Sequence, residues 1–175
     1  MTMAWRSGLA GDQRGVAAVE FALVAGTLIF VILNCADVAR FYLQRMQMQN
    51  ATRMAVQAAW NSCDESKLPA TVNCPGLATA VATAVKSTSL GTAVTLKAGS
   101  PSEGYYCVNN SGVLTRVSDV SAKPSDCSSV GKPADQPGDY LQVQTQYSFK
   151  PMFGGLSIGA TLPSTVTSTA LMRLK

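Results

Sequence analysis

From Val16 to Ala36 the chain carries one charge, Glu20, one amide, Asn34, and one side-chain hydroxyl, Thr27. An apolar run of about 20 residues is long enough to cross the hydrocarbon core of a bilayer as a helix. The carboxylate is the costly part of such a run: at the bilayer centre it is disfavoured by roughly 2.5 to 3.5 kcal/mol, and by less near an edge. Either Glu20 snorkels to the headgroups from one turn inside the span, or it finds a cationic partner within the apolar layer. The residues before the run bear on that choice. A polar stretch holding Arg6, Asp12 and Arg14 ends at Gly15, and a cut after Gly15 would make Val16 a new N-terminal amine, with Glu20 the fifth residue of the mature chain. Residues 1–15 are too polar to continue an apolar helix and too short to fold, so they read as a processed leader or a cytoplasmic stub.

Beyond the run, apolar residues recur at helical spacing at Val38, Phe41, Tyr42, Met48, Ala55, Val56 and Ala59, and neither Gly nor Pro occurs from Thr27 to Asn61. This predicts one helix over 16–60, about 67 Å long at 1.5 Å per residue. Its first part, 16–36, would be transmembrane, and 37–60 would present an amphipathic stripe to a small domain. Phe41, Tyr42, Met48 and Trp60 are expected in the core. Residues 61–175 are of ordinary size for one domain. A second helix is expected from Gly76 to Ser89, and strands at Thr92–Lys97, Tyr105–Asn109, Val113–Val117, Tyr140–Phe149 and Thr165–Leu174. The fourth of these is the clearest, because Leu141, Val143, Thr145, Tyr147 and Phe149 alternate with Gln142, Gln144, Gln146 and Ser148. One face of that strand should be buried and the other wet. The expected fold is α+β: a long N-terminal helix packed by a small antiparallel sheet.

The five cysteines divide into Cys35, inside the apolar run, and Cys63, Cys74, Cys107 and Cys127 beyond it. Four cysteines allow three disulfide connectivities. Pairing Cys63 with Cys74 and Cys107 with Cys127 closes two short polar loops bounded by turn residues, and is the expectation here. The alternative, a zinc site, lacks the close C-x2-C pairs that such sites use. Disulfides would place residues 61–175 in an oxidising compartment such as the periplasm. Formal charge is +4 with the basic residues scattered, which argues against a nucleic-acid surface. There is no histidine, so the commonest acid–base catalyst and metal ligand are both missing. Asp64, Glu65, Glu103, Asp119, Asp126, Asp135 and Asp139 fall in expected loops without metal-loop spacing and read as solvated charge. Gly154-Gly155-Leu156-Ser157-Ile158-Gly159 lacks the Lys of a phosphate loop and reads as a turn. No catalytic residue, metal site or cofactor is expected.

A basic leader, a Gly, and an apolar segment with Glu at its fifth position resemble the processing site of type IV pilins and pseudopilins. Val16-Ala17-Ala18-Val19-Glu20-Phe21-Ala22-Leu23-Val24 is similar to the TadE group of the Tad (Flp) pilus machinery, and Gln49-Asn50-Ala51-Thr52-Arg53-Met54-Ala55 resembles a second segment of that family. The segment departs from many relatives in having Val24-Ala25-Gly26 where a Pro is common, and the choice between TadE and relatives such as TadF stays open. The resemblance implies a pilin-like fold and cleavage between Gly15 and Val16 by a prepilin peptidase. It also implies a pairing of Glu20 with the Val16 amine of a neighbouring subunit, with Phe21 on the helix face that packs against neighbours. The implied partners are the peptidase, other Tad pilus subunits, the inner-membrane assembly platform and membrane lipid. The implied location is the bacterial inner membrane, with a periplasmic C-terminal domain and a later place in an extracellular pilus serving adhesion. The alternative from another class is a single-span anchored periplasmic binding module unrelated to pili, which would stay uncut at Gly15 and have no use for Glu20.

Overall fold

The computed structural model describes residues 14–155 and 157–175, and only the backbone of Arg14. Most of the leader expected at 1–15 therefore lies outside the described residues. The elements are helices α1 (Arg14–Ser62), α2 (Ala70–Asn73) and α3 (Leu77–Lys86) and strands β1 (Val94–Leu96), β2 (Ser102–Val108), β3 (Leu114–Asp119), β4 (Gly138–Ser148) and β5 (Thr165–Arg173). This is an α+β fold: a long, apolar N-terminal helix followed by a small antiparallel sheet of five strands. Two compact units share α1: Met1–Phe41 with Lys150–Leu162, and Tyr42–Phe149 with Pro163–Lys175.

In the second unit β4 is the organising strand. Val94–Leu96 of β1 pair with Tyr147–Thr145 of β4, and Ser102–Tyr106 of β2 pair with Gln142–Gly138, so β1 and β2 lie end to end along one edge of β4. β5 takes the other edge from Ser148↔Thr165 to Tyr140↔Arg173, and β3 pairs with the far edge of β2. The alternation of β4 works as its sequence dictates. Leu141, Val143 and Thr145 are fully buried, while Gln142, Gln144 and Gln146 are half-buried on the opposite face. Between β2 and β3, Asn109 makes the turn: its Oδ1 accepts from the backbone N–H groups of Ser111 and Val113, both at 2.9 Å, and Gly112 adopts φ +77°. A bulge at Tyr105/Tyr106 bends the pair beside Gly104, where a Cβ would sit 2.8 Å from the Ser118 carbonyl oxygen.

The later part of α1 packs through Met48, Ala51, Thr52, Ala55, Val56 and Ala59, all buried. These fall three, four and seven residues apart, the spacing of one helix face. Small residues are frequent on that face, and Thr52 reaches Thr145 of β4 through its side chain. Two residues expected in the core are not there: Tyr42 is 55% and Trp60 38% exposed. Each follows a buried neighbour, Phe41 or Ala59, and one residue along a helix turns the side chain by about 100°, off the packed face. Helix α3 buries Leu77, Val81 and Val85, one turn apart.

Disulfides join Cys63 to Cys74 and Cys107 to Cys127. The first closes a segment that the sequence suggested was loop alone, but that contains a 3-10 turn, Glu65–Lys67, capped by Asp64, and then α2. The second ties β2 to the long connection before β4, where Cys127 also bridges Lys132 in antiparallel fashion. Cys35 is a free, exposed thiol.

Candidate functional site

The site indicated by the sequence lies on the first half of α1. Arg14 and Gly15 are already helical, so the Gly15–Val16 bond lies within the helix. Gly15, Val16, Glu20 and Phe21 are all exposed, Phe21 by 74%. Among the described residues, a Cβ on Gly15 would meet nothing within 4 Å. Large apolar side chains from Val16 through Phe21, Leu28 and Ile32 remain between half and three-quarters exposed. The helix is long and apolar enough to cross a membrane. The one hydroxyl and the one amide side chain within 16–36 bond inside the helix. The Thr27 hydroxyl donates to the Leu23 carbonyl at 3.0 Å, and the Asn34 amide donates to the Phe30 carbonyl at 2.7 Å. Internal satisfaction of this kind is what an apolar surrounding requires.

At the end of the apolar run, Asn34 and Asp37 share a helix face and hold the segment Lys150–Leu162. Asn34 Oδ1 accepts from the Ile158 N–H at 2.7 Å. Asp37 accepts from Met152 N–H at 2.9 Å through Oδ1 and from Phe153 N–H at 3.3 Å through Oδ2. Asp37 is completely buried. A hydrogen bond from Ser157, then the two backbone N–H groups and the positive charge of Arg40, hold its carboxyl below the ordinary range against the opposing effect of burial. Gly159 passes so close that a Cβ there would lie 2.9 Å from Asp37 Oδ2. Asp37, just beyond the apolar run, thus fastens the segment Lys150–Leu162 to the helix.

Two acidic residues expected to be solvated in loops are instead buried in strands. Glu103 lies in β2 and Asp139 in β4, exposed by only 5% and 6%. Because Tyr105 pairs with Asp139 across the strands, Glu103 is the diagonal neighbour of Asp139 on the same face. Glu103 Oε1 accepts from Ala70 N–H at 2.9 Å, and Oε2 accepts from the N–H and hydroxyl of Thr71 at 2.6 and 2.7 Å, so Glu103 caps α2 from a distant strand. Asp139 Oδ1 is buried and has no hydrogen-bond partner among the described residues. Burial, followed by the charge of and hydrogen bond to Glu103, pushes the Asp139 carboxyl up to about 6. Asp139 also lines a cavity of about 360 Å³ with Tyr105, Lys123, Arg173 and Lys175. Among the described residues no three Cys, Asp or Glu side chains gather as a metal site.

The residues of the second sequence motif form the helix–sheet joint. Ala51, Thr52 and Ala55 are buried, and the Thr52 hydroxyl lies 2.7 Å from that of Thr145 on β4. No curated protein and no solved structure matches the chain. Residues 15–57, a stretch that holds both the apolar run with Glu20 and the joint at Thr52, match the family described as TadE-like protein.

Proposed function

We propose that the chain is a minor pilin, or pseudopilin, of a Tad-type pilus, with a structural rather than catalytic role. The observation that carries this reading is the TadE-like match over residues 15–57, whose apolar run contains a single carboxylate at Glu20. Residues 16–36 hold the chain in the inner membrane and the disulfide-bonded portion stands in the periplasm. Prepilin peptidase cuts between Gly15 and Val16. In assembly, Glu20 meets the freed Val16 amine of a neighbouring subunit, which neutralises two charges that the apolar layer disfavours and fixes axial register. The exposed side chains of Phe21, Val24, Leu28 and Ile32 supply the packing surface between helices. Incorporation into the pilus serves adhesion.

The decisive experiment is the N-terminal sequence and intact mass of protein recovered from membranes of cells that possess the peptidase, before and after reduction. A start at Val16, and a gain of about 4 Da on reduction from two hydrogens per disulfide, is expected. An intact Met1 start would overturn the processing step. Glu20→Ala is expected to be cut normally and to be depleted from sheared pili; incorporation at the parental level would remove the pairing role of Glu20.

A further inference from the structure

We propose that the segment Lys150–Leu162 is a membrane-surface anchor, whose exposed apolar side chains Met152 and Ile158 enter the boundary between headgroups and acyl chains of the lipid leaflet at the end of the 16–36 span. This rests on reading residues 16–36 as that span. The argument begins with Asn34, which lies within the apolar run, two residues before its end at Ala36. At 1.5 Å per residue this is about 3 Å inside the run. Its amide oxygen holds the Ile158 backbone at 2.7 Å, so a bilayer that covers the run to its end reaches the level of Ile158.

The chemistry of the segment suits that level. Lys150 is its single charged residue, and Met152 and Ile158 are 64% and 55% exposed. Two large apolar side chains held out on a short turn, with no charge between them, are poorly suited to water and well suited to the acyl boundary. Three backbone donors of the turn are met from the helix and others within the turn itself. Met152 and Phe153 N–H groups bond Asp37, Ile158 N–H bonds Asn34, and Gly159 N–H bonds the Ser157 hydroxyl at 2.8 Å. Irregular backbone enters the edge of an apolar layer only when its N–H groups are satisfied in this way. The same contacts cover Asp37, the first acidic residue beyond the run, and remove its charge from contact with lipid. On the flank, Arg40 donates to the Lys150 carbonyl at 3.5 Å, which sets two cations beside the turn where headgroup phosphates would lie. Continuity with the apolar run favours lipid as the occupant over a second protein surface.

The test uses the full chain in vesicles of phosphatidylethanolamine and phosphatidylglycerol, with lipids brominated either near the headgroup or near the chain end. In a Trp5→Phe, Trp60→Phe background, Ile158→Trp and, separately, Met152→Trp place a reporter on an exposed position, and Leu28→Trp reports on the span. The expected result is strong quenching of the loop reporters by the shallow bromine, strong quenching of Leu28→Trp by the deep one, and little quenching of either loop reporter by aqueous iodide. Loop reporters open to iodide and untouched by either bromine, with Leu28→Trp still quenched, would overturn the anchor and leave the span standing. Loop reporters shielded from both bromine and iodide would assign the surface to a second protein copy and equally overturn it. An unquenched Leu28→Trp would remove the span and the anchor together.

Discussion

The hydroxyls of Thr52 and Thr145 lie 2.7 Å apart in a completely dry setting, one on α1 and the other at the centre of β4. Thr52 donates its own proton to the Met48 carbonyl at 2.8 Å, so the proton between the two hydroxyls belongs to Thr145. Removing Thr52 alone strands the Thr145 donor in the interior. Thr52→Val should destabilise the chain by about 1–3 kcal/mol, the range for an unsatisfied buried group. Thr52→Val with Thr145→Val should cost less than the sum of the single changes, since both partners then become apolar and similar in shape. Unfolding of the four variants in detergent, followed by circular dichroism, measures the coupling. Strict additivity would show that the contact contributes nothing.

Asp139 gives the second unit an unusual response to pH. Its folded carboxyl titrates at about 6, against 3.8 for an ordinary aspartate, so between these values the folded chain binds more protons than the unfolded chain. Stability from this residue is therefore greatest below about pH 4, declines as pH rises through about 6, and stays low above it. The full difference amounts to about 3 kcal/mol by pKa arithmetic, and solvent screening around a group beside an open cavity reduces the expected loss to about 1–2 kcal/mol. Asp139→Asn should flatten the decline between pH 4 and about 7 and raise stability at the upper end. Chemical denaturation across that range reads both effects.

Glu103 is expected to matter locally more than globally. It supplies acceptors to Ala70 N–H and to both donors of Thr71, and α2 is only four residues long, so the turn has little internal bonding to fall back on. Glu103→Ala should leave the buried Ala70 N–H unpaired, at a cost of about 1–3 kcal/mol. Hydrogen exchange at Ala70 and Thr71 should accelerate markedly while exchange in β4 changes little. Equal acceleration in both places would mean that Glu103 supports the whole sheet.

What could be read from the sequence followed local periodicity. The apolar run, the long helix and the alternation from Leu141 to Phe149 each repeat a pattern within one element, and each appears in the structure with its ends moved by a few residues. Glu103 and Asp139 could not be read this way. Pro101-Ser102-Glu103-Gly104 and Gly138-Asp139 carry turn composition, yet the pairing of β2 with β4 extends both strands through them. That pairing joins segments more than thirty residues apart, and once it is made two loop carboxylates become buried neighbours. Asp37 is the same case at longer range. Its donors come from Met152 and Phe153, and nothing near position 37 announces them. On the first half of α1 the apolar character was plain from composition, while the open space beside Gly15 among the described residues required coordinates.

The fastening of Lys150–Leu162 should depend on both oxygens of Asp37 and on the missing side chain at Gly159. Asp37→Asn keeps one acceptor but turns an amide donor toward either Met152 N–H or Phe153 N–H, whereas Asp37→Ala removes both acceptors. Gly159→Ala leaves all donors and acceptors in place. Its new methyl would lie 2.9 Å from both Asp37 Oδ2 and Ser157 Oγ, and 3.0 Å from Asp37 Cβ, closer than real Cβ contacts allow. Because Gly159 does not have a positive φ, its substitution acts through crowding alone and not through backbone strain. All three changes should therefore release the same segment by different routes. Limited proteolysis in detergent should gain a new cut between residues 150 and 162, with the strongest cutting in Asp37→Ala. Ser164→Ala, just beyond the segment and not bonded through its side chain to Asp37, serves as the control and should cut at the parental rate. Resistance of Gly159→Ala at the parental level would mean that the turn can shift to admit a methyl group, and that Asp37 alone holds it.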